Sequence, residues 1–381
     1  ARLQGSDRLK IVIDRNIRGA EETFGQHGEL VAMDGRRIRK ADLGDAELMI
    51  VRTATIANAD LLEGTPVRFV GTTSIGTDHL DTDWLQRAGI EWANAPGCNA
   101  DSAAQYTLAM IWLACQRLGR DLFDQRVGII GRGNVGSRLH RLLTALGVHV
   151  VANDPPLADR GVSGLVSQDD ALACDIVSLH VPLTDSGPYP TRGMLGQERL
   201  ERMPHGALLV NAARGDVVDG DALLEKLRDG SIHAALDCWP GEPRLNSELL
   251  QRATVATPHV AGYSDDGKRN GTRIVYQAFC AWAGLTPVGR VADGRRLALL
   301  VHDANSVLTE ALEAACFVPR HDAALRRLAG LPTDEVAAGF DALRKEYPYR
   351  RDFHGWSVAC ESSRAAQTLS ALGFVIDGSK R

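Results

Sequence analysis

Short apolar segments alternate with amphipathic segments from residue 10 onward. The first four apolar segments predict buried strands, and helical segments such as residues 82–88 lie between them. Strands that are apolar on both faces and alternate with helices are typical of a parallel sheet covered on both sides. The pattern therefore predicts a doubly wound unit, with strands at residues 10–14, 47–52, 67–72 and 90–95.

A second set with the same pattern follows a long helical segment at residues 101–118. It contains six more strand candidates, with helical stretches in most of the gaps between them, which indicates a second, independent doubly wound unit. These candidates lie at residues 127–131, 148–154, 175–180, 207–213, 233–239 and 254–259.

The last part of the chain has a different pattern. Residues 284–294 are rich in turn formers and predict a linker. Beyond it, strands are predicted at 297–302 and 355–361, and helices near 305–315 and 365–372, which indicates a small module. The predicted fold is thus α/β, with two doubly wound Rossmann-like domains and a small C-terminal α+β module. The first ten residues lack the apolar run of a secretory signal, and we expect a frayed leader outside the fold.

Composition narrows the classes of function. The 381 residues are 44% hydrophobic and 24% charged with a net charge of -5, which excludes a disordered chain, a collagen-like fibre and a basic nucleic-acid binder. The longest notable apolar stretch, residues 106–115, is shorter than the roughly 20 residues of a membrane helix. The seven cysteines form no C-x-x-C pair, so neither a metal site nor a disulfide framework is expected. These features favour a cytoplasmic enzyme without a nucleic-acid or membrane partner.

A glycine-rich loop is the first candidate for chemistry. Residues 131–136 read G-R-G-N-V-G, follow a predicted strand and open a predicted helix. Such a loop lets backbone N–H groups approach a pyrophosphate, and Asp154, 18 residues after the last glycine, can bind ribose hydroxyls while repelling a 2′-phosphate. The nearest arginine downstream is Arg160, so NAD is favoured over NADP; the alternative is a glycine-rich turn without a nucleotide. The loop's candidate cofactor contacts are Gly131, Gly133, Asn134, Val135 and Gly136.

Three further residues follow the ends of predicted strands, where ligands of open α/β sheets bind. They are Arg214, Glu242 and His259. Oxidation of an alcohol beside a carboxylate needs a base and a cation. His259 can accept the hydroxyl proton, Glu242 can stabilise the imidazolium, and Arg214 can hold the carboxylate in a bidentate contact. Each residue alone could instead be structural or solvent-facing.

The order of glycine loop, Arg, Glu and His resembles that of the NAD-dependent D-2-hydroxyacid dehydrogenases. In that family the chain leaves the substrate domain, builds the NAD domain and then returns. The resemblance implies a substrate-binding domain at residues 9–100 and 264–286, an NAD-binding Rossmann domain at 101–263 and a C-terminal dimerisation domain at 287–381.

Several stretches are similar to one branch of this family, which oxidises 4-phospho-D-erythronate in pyridoxal phosphate biosynthesis. The similarity covers essentially the whole chain after residue 8 and implies a homodimer that produces 3-hydroxy-2-oxo-4-phosphooxybutanoate with NAD as the acceptor. The stretches include residues 95–100, 154–161, 241–250, 258–272, 320–330 and 340–347.

Residue matching to the family implies specific roles. Arg214, Glu242 and His259 would be catalytic. Three hydroxyl-bearing residues would contact the substrate, namely Thr53, Ser74 and Tyr263. NAD would be contacted by Asp154, Val181, Ala212, Ala213, Arg214, Asp237 and Gly262. The ligands of the substrate phosphate stay open, with candidates chosen by charge alone: Arg52, Lys268, Arg269, Arg350 and Arg351.

Two other functions fit the same motifs. One is another D-2-hydroxyacid dehydrogenase, of the phosphoglycerate or hydroxypyruvate type. The other is a non-catalytic NAD sensor on the same fold, since such proteins can keep the Arg, Glu and His. Turnover on 4-phosphoerythronate against 3-phosphoglycerate distinguishes the first, and a His259→Asn variant that loses hydride transfer but binds cofactor argues against the second.

Overall fold

The computed structural model describes residues 9–301, 306–360 and 362–377, and the chain divides into two compact units. The first unit comprises residues 9–99 together with Ser264–Arg295. The second comprises Ala100–Tyr263 together with the described part of residues 296–381. The segment after the predicted linker therefore lies in the same unit as the strands around the glycine loop.

The first segment alternates strands with short helices, as its apolar pattern predicts. Its five strands pair only in parallel, in the order β2-β1-β3-β4-β5. The sequence pattern does not predict β2, which lies at the sheet edge and is only partly buried. The elements are β1 (Leu9–Asp14), α1 (Ala20–Thr23), β2 (Gly28–Met33), α2 (Lys40–Leu43), β3 (Leu48–Val51), α3 (Ala59–Leu62), β4 (Phe69–Thr72), α4 (Thr82–Arg87) and β5 (Glu91–Ala93).

The second segment begins with a long, largely buried helix and continues with six strands at the predicted positions. The elements are α5 (Ala100–Arg117), β6 (Arg126–Ile130), α6 (Asn134–Ala145), β7 (His149–Asn153), α7 (Pro155–Asp159), α8 (Gln168–Leu172), β8 (Ile176–Leu179), α9 (Gln197–Glu201), β9 (Ala207–Asn211), α10 (Gly220–Arg228), β10 (Ile232–Leu236), α11 (Ser247–Arg252) and β11 (Val255–Ala256).

This second sheet is also wholly parallel, with the order β11-β10-β9-β8-β6-β7. The strand order reverses between β6 and β8, so the loops after these strands diverge and leave a crevice at their carboxyl ends. Both sheets confirm the predicted α/β class. The glycine loop follows β6, which sets it at this reversal.

The remaining elements complete both units. Helix α12 (Asp265–Ala283) returns the chain to the first unit; Ser264 caps its start by accepting the Gly267 N–H at 2.8 Å. The second unit ends with a three-stranded parallel sheet and four helices. These are β12 (Leu297–Leu300), α13 (Val307–Cys316), α14 (Val318–Arg326), α15 (Thr333–Lys345), β13 (Trp356–Ala359), α16 (Ser363–Leu372) and β14 (Val375–Ile376). Short 3₁₀ helices occur at Phe24–Gln26, Gly35–Arg37, Leu122–Asp124, Gly215–Val217 and Phe353–Gly355.

The C-terminal elements share the core of the second sheet. Val307, Leu308 and Phe353 join one apolar cluster with α5, whereas Leu325 and Phe340 join the cluster on the other sheet face. Helix α14 packs beside the edge strand β11. The sequence pattern predicts β12, β13, α13 and α16 but not α14, α15 or β14. The predicted element ends at residues 302, 305 and 361 and the leader at residues 1–8 lie outside the described residues.

Across the ranges given above, no helix is both long enough and apolar enough to cross a membrane. In the same residues, no group of three or more His, Cys, Asp or Glu side chains is arranged to hold a metal ion.

Candidate active site

A histidine–glutamate pair is the centre of the candidate site. His259 follows β11, and its Nδ1 is hydrogen-bonded to Oε1 of Glu242, which comes from the loop after β10. The second oxygen of Glu242 accepts the Trp239 N–H at 3.0 Å, which fixes the carboxylate. The two side chains are 25% and 24% exposed, so the pair is sheltered but reachable. With Nδ1 engaged, Nε2 is the nitrogen through which the ring can exchange a proton with a substrate.

The surroundings favour the charged form of this imidazole. Cys238 and Glu242 raise the pKa of His259, and burial of the ring opposes them only in part. Burial also raises the pKa of the Cys238 thiol, whose Sγ donates to the Ala213 carbonyl at 3.3 Å. The thiol is therefore neutral near pH 7, and the carboxylate of Glu242 is the lasting charge beside the ring.

Asp237 braces the loop that carries His259. Its Oδ1 accepts the Thr257 hydroxyl at 2.7 Å and the Val260 N–H at 2.9 Å, and its Oδ2 accepts the Ala261 N–H at 2.9 Å. The side chain is fully buried. His259 itself has φ 53°, a left-handed conformation that is uncommon for a residue with a side chain. The three bonds from Asp237 hold the turn in this conformation, a role that the strand-end position of Asp237 does not reveal.

Arg214 lies in the loop after β9. Its side chain is exposed, and its Nη1 donates to the Ala213 carbonyl at 2.8 Å, so most of its five donors are available to a ligand. The next residue, Gly215, packs closely against another loop: an added Cβ there would lie 1.9 Å from the Trp239 carbonyl oxygen. This contact joins the loop of Arg214 to the loop that leads to Glu242.

The glycine loop fits a dinucleotide. Gly131 has φ 91°, and a Cβ on it would lie 2.7 Å from the His180 carbonyl carbon and 2.9 Å from Val181 Cγ1. A Cβ on Gly136 would lie 1.9 Å from the Gly131 oxygen, whereas a Cβ on Gly133 would meet no protein atom within 4 Å. Two glycines thus permit the turn, and the third leaves open space where a pyrophosphate can approach α6 at its first residue, Asn134.

Asp154 stands at the end of β7 beside this loop. Its Oδ2 accepts the Arg132 N–H at 2.8 Å, and its Oδ1 accepts the Leu157 N–H at 3.0 Å and caps α7. The carboxylate is therefore held in place next to the glycine loop, where a ribose would lie. Arg160 is the nearest arginine downstream of Asp154 in the sequence, whereas the fold brings the backbone of a second arginine, Arg132, to Asp154.

The other sequence-predicted residues divide between the two units. Thr53 and Ser74 lie in the first unit, where Thr53 is exposed and Ser74 Oγ is 2.5 Å from Thr72 Oγ1. Tyr263 lies in the second unit and packs edge-on against Tyr347, with ring centroids 5.4 Å apart. Val181, Ala212 and Gly262 are half-buried in that unit, and Ala213 is buried.

Of the five cations considered for a substrate phosphate, three are already engaged or enclosed. Arg350 and Arg351 are buried in the second unit. Arg269 donates to Asp265 Oδ2 at 2.6 Å and to the Ala292 carbonyl at 2.8 Å. These contacts make the three poor phosphate ligands.

The two remaining cations lie in the first unit. Arg52 follows β3 and pairs with Asp14 at 2.9 Å, yet its side chain is 41% exposed. Lys268 is an exposed residue, yet desolvation of its ammonium group, then the nearby Arg18 and Arg52, lower its pKa, while Asp265 opposes them. Positive charges therefore converge near Thr53, as a phosphate would require.

Comparison with known proteins identifies the family. Residues 99–261 match the family model of the D-isomer specific 2-hydroxyacid dehydrogenase NAD binding domain, and residues 300–373 match a domain of unknown function. An erythronate-4-phosphate dehydrogenase of Teredinibacter turnerae is 44% identical over 98% of this chain and 100% of the relative. The chain belongs to the erythronate-4-phosphate dehydrogenase family. A relative of the same name from Escherichia coli is 40% identical over 96% of this chain and 98% of its own length.

Solved structures agree with this family and its fold. The D-lactate dehydrogenase of Aquifex aeolicus, complexed with NAD and lactic acid, is 25% identical with a TM-score of 0.56 over 72% of this chain and 95% of its own. The TT0316 protein of Thermus thermophilus is 25% identical with a TM-score of 0.60 over 74% of this chain and 100% of its own. The predicted resemblance, the dehydrogenase class and NAD as the cofactor are confirmed.

Proposed function

We propose that this chain oxidises the C2 hydroxyl of 4-phospho-D-erythronate to give (R)-3-hydroxy-2-oxo-4-phosphooxybutanoate for pyridoxine 5′-phosphate biosynthesis. The main observation in support of this proposal is the hydrogen bond between His259 and Glu242, which lie in the same unit as the glycine loop. Relatives that cover nearly the whole chain bear the name of this activity. The chemistry needs a base, its partner and a cation, and the site contains these three types.

Each side chain has one task in this reaction. Bound NAD would supply the hydride acceptor for C2. His259 Nε2 takes the hydroxyl proton, and Glu242 stabilises the imidazolium that forms. Arg214 holds the substrate carboxylate and polarises the C2 oxygen. Because the base must be neutral to act, the oxidative rate should rise with pH through the pKa of His259.

The proposed cofactor contacts follow the geometry of the second unit. The glycine loop, Gly131 to Gly136 with Asn134 and Val135, would bind the pyrophosphate, and Asp154 would bind the adenosine ribose. Further contacts are proposed for residues on the neighbouring loops, namely Val181, Ala212, Ala213, Arg214 and Gly262. Asp237 is fully buried, so it would act on the cofactor site through the turn that it holds and not by direct contact.

On the substrate side, Thr53, Ser74 and Tyr263 are the proposed hydroxyl contacts, and Arg52 with Lys268 the proposed phosphate ligands. A Lys268→Met variant should raise KM for 4-phosphoerythronate while leaving KM for unphosphorylated erythronate unchanged. Arg273→Met, an exposed arginine of α12, is the matched control and should leave both values unchanged. Equal effects on both substrates would contradict a phosphate contact.

We also propose a cytoplasmic homodimer that assembles through the C-terminal elements. The strand β12 is an edge strand, and its Leu300 is 57% exposed, which suits a contact between copies. All seven cysteines are free, as in a reducing compartment. Light scattering, which measures molar mass in solution, tests the assembly: the proposal expects the mass of a dimer for the chain and a smaller mass for a Leu300→Lys variant.

The experiment that tests the function compares substrates in the forward direction. NADH formation is followed with 4-phospho-D-erythronate and with 3-phosphoglycerate, and a 2-oxo acid is added to recycle tightly held cofactor. We expect a clear preference for the phosphoerythronate. Turnover of 3-phosphoglycerate alone would favour the other dehydrogenase type, and binding of NADH without any turnover would favour a sensor.

A further inference from the structure

Elements of the C-terminal part hold both sides of the segment that carries His259. Here the His259 segment means residues 253–263. On its upstream side, Asp322 of α14 accepts the N–H of Ala256 at 2.7 Å. The carboxylate of Asp322 is 3% exposed and is itself held by Arg117 at 2.8 Å and by Arg326 at 3.0 Å. The outer edge of β11 is therefore fixed by α14.

The same two arginines bind the carbonyl groups that precede this strand. Arg326 Nη2 donates to the Ala253 oxygen at 2.6 Å, and Arg117 Nη1 donates to the Thr254 oxygen at 2.6 Å. Three charged side chains thus bond to neighbouring backbone groups of the His259 segment. Charge-assisted bonds of this kind are stronger than neutral ones, so this side of the segment is rigid.

On the downstream side of the His259 segment, the backbone is held by a second charged side chain, that of Arg350. Arg350 is 1% exposed, and its Nη2 donates to the Ala261 oxygen at 3.1 Å and to the Ser102 oxygen at 2.7 Å. Its Nη1 donates to the Tyr347 hydroxyl at 3.3 Å, and its guanidinium lies 5.1 Å from the ring centroid of Tyr106. Burying a guanidinium is costly, so its retention beside the turn after His259 requires a compensating role or full hydrogen bonding.

His259 lies between these two contacts in a left-handed conformation that is uncommon for a residue with a side chain. Asp237 supports the turn from the sheet through residues 257, 260 and 261. Arg350 adds a second bond at residue 261, to its carbonyl group, and Asp322 holds residue 256, which Asp237 does not reach. We propose that the C-terminal elements act in catalysis, with Arg350 and Asp322 as positioning residues that hold His259 against Glu242.

This proposal rests on the proposed role of His259 as the acid–base group. It assigns a task to the region that matches a domain of unknown function, residues 300–373, in addition to assembly. When the segment is loosened, the imidazole should separate from the carboxylate of Glu242. The groups that face the imidazole are Glu242 and Cys238, so loss of this contact should lower the pKa of His259.

The test uses Arg350→Lys and Arg350→Met in the full-length chain, with Arg327→Met as the matched control because Arg327 is an exposed arginine at the end of α14. Melting temperature, oligomeric state, NADH affinity, kcat, KM and the pH profile of kcat are measured for each. We expect NADH affinity to stay within about twofold while kcat falls about a hundredfold in Arg350→Met, the effect of a displaced catalytic group. The pH profile should move to lower pH, Arg350→Lys should recover part of kcat, and the control should match the wild type.

Folded Arg350 variants with wild-type kcat and pH profile would overturn the proposal. A parallel loss of NADH affinity, kcat and melting temperature, with an unmoved pH profile, would also overturn it, because that pattern indicates a purely structural role. Should Arg350→Met not fold, Asp322→Asn tests the other side and is expected to show the same separation of kcat from NADH affinity. A wild-type rate in His259→Asn would instead refute the proposed role of His259 as the base, and absence of turnover on 4-phosphoerythronate in the wild type would refute the proposed function, so the failures are distinguishable.

Discussion

The substitution Glu242→Gln tests the electrostatic part of the site. It keeps the size of the side chain and the acceptor for the Trp239 N–H, and it removes the charge beside His259. Since that charge helps to raise the pKa of the imidazole, the pKa should fall in the variant. The base is then neutral at lower pH, so the rising limb of kcat/KM for oxidation should move to lower pH.

The size of this move follows from the geometry. An adjacent opposite charge changes a pKa by about one to three units, each worth about 1.4 kcal/mol. Because each side chain of the pair is about a quarter exposed, solvent screens part of the attraction. We therefore expect the midpoint of the limb to move down by about one to two pH units. The plateau should also fall, by about a hundredfold or more, because nothing stabilises the imidazolium.

The assay is the initial rate of NADH formation at saturating NAD, from about pH 5 to about pH 11, a range that includes the ordinary and the raised pKa of an imidazole. The control is Glu248→Gln. Glu248 of α11 pairs with Arg228 of α10 and with Arg252 of α11, and neither of these pairs includes His259. An unmoved limb in Glu242→Gln, or an equal move in the control, would show that the charge of Glu242 does not raise the pKa of His259.

Three further substitutions have distinct expected results. Asp154→Ala should raise NADP turnover relative to NAD by about tenfold or more, because the repelling carboxylate is lost; unchanged discrimination would contradict this. Gly133→Ala should weaken NADH binding without changing the melting temperature, since its Cβ meets no protein atom, whereas Gly136→Ala should lower both, since its Cβ meets the Gly131 oxygen at 1.9 Å. Asp237→Asn should reduce the free energy of unfolding by about 2–4 kcal/mol in urea titrations, because a buried N–H of the His259 segment loses its acceptor.

The apolar pattern predicts most of the sheets because their strands are buried on both faces. It does not predict β2, which has no fully buried residue because it lies at the edge of the first sheet. Nor does it predict α14, whose buried residues include the polar His321 and Asp322, or α15, which buries only Val336 and Phe340 among its 13 residues. For such elements, tertiary contacts rather than periodicity decide the structure.

The sequence predicts the residue types of the candidate site, but it does not predict which other residues hold them in place. Strand ends and motif order indicate Glu242 and His259, and the structure pairs them. The sequence does not indicate that Asp237 braces the turn or that Arg350, far along the chain, reaches the Ala261 carbonyl. Such contacts depend on long-range packing, and an arginine or aspartate that makes them looks like any other in the sequence.

The measurement that most directly tests the account is single-turnover NADH formation with 4-phospho-D-erythronate in the wild type and in His259→Asn. Asparagine accepts the left-handed conformation of this position, so the variant should keep the turn and its NADH affinity. If His259 is the base, the rate should be lower by about 10²- to 10⁴-fold with cofactor binding unchanged. A wild-type rate in the variant would contradict the assignment of His259 as the base.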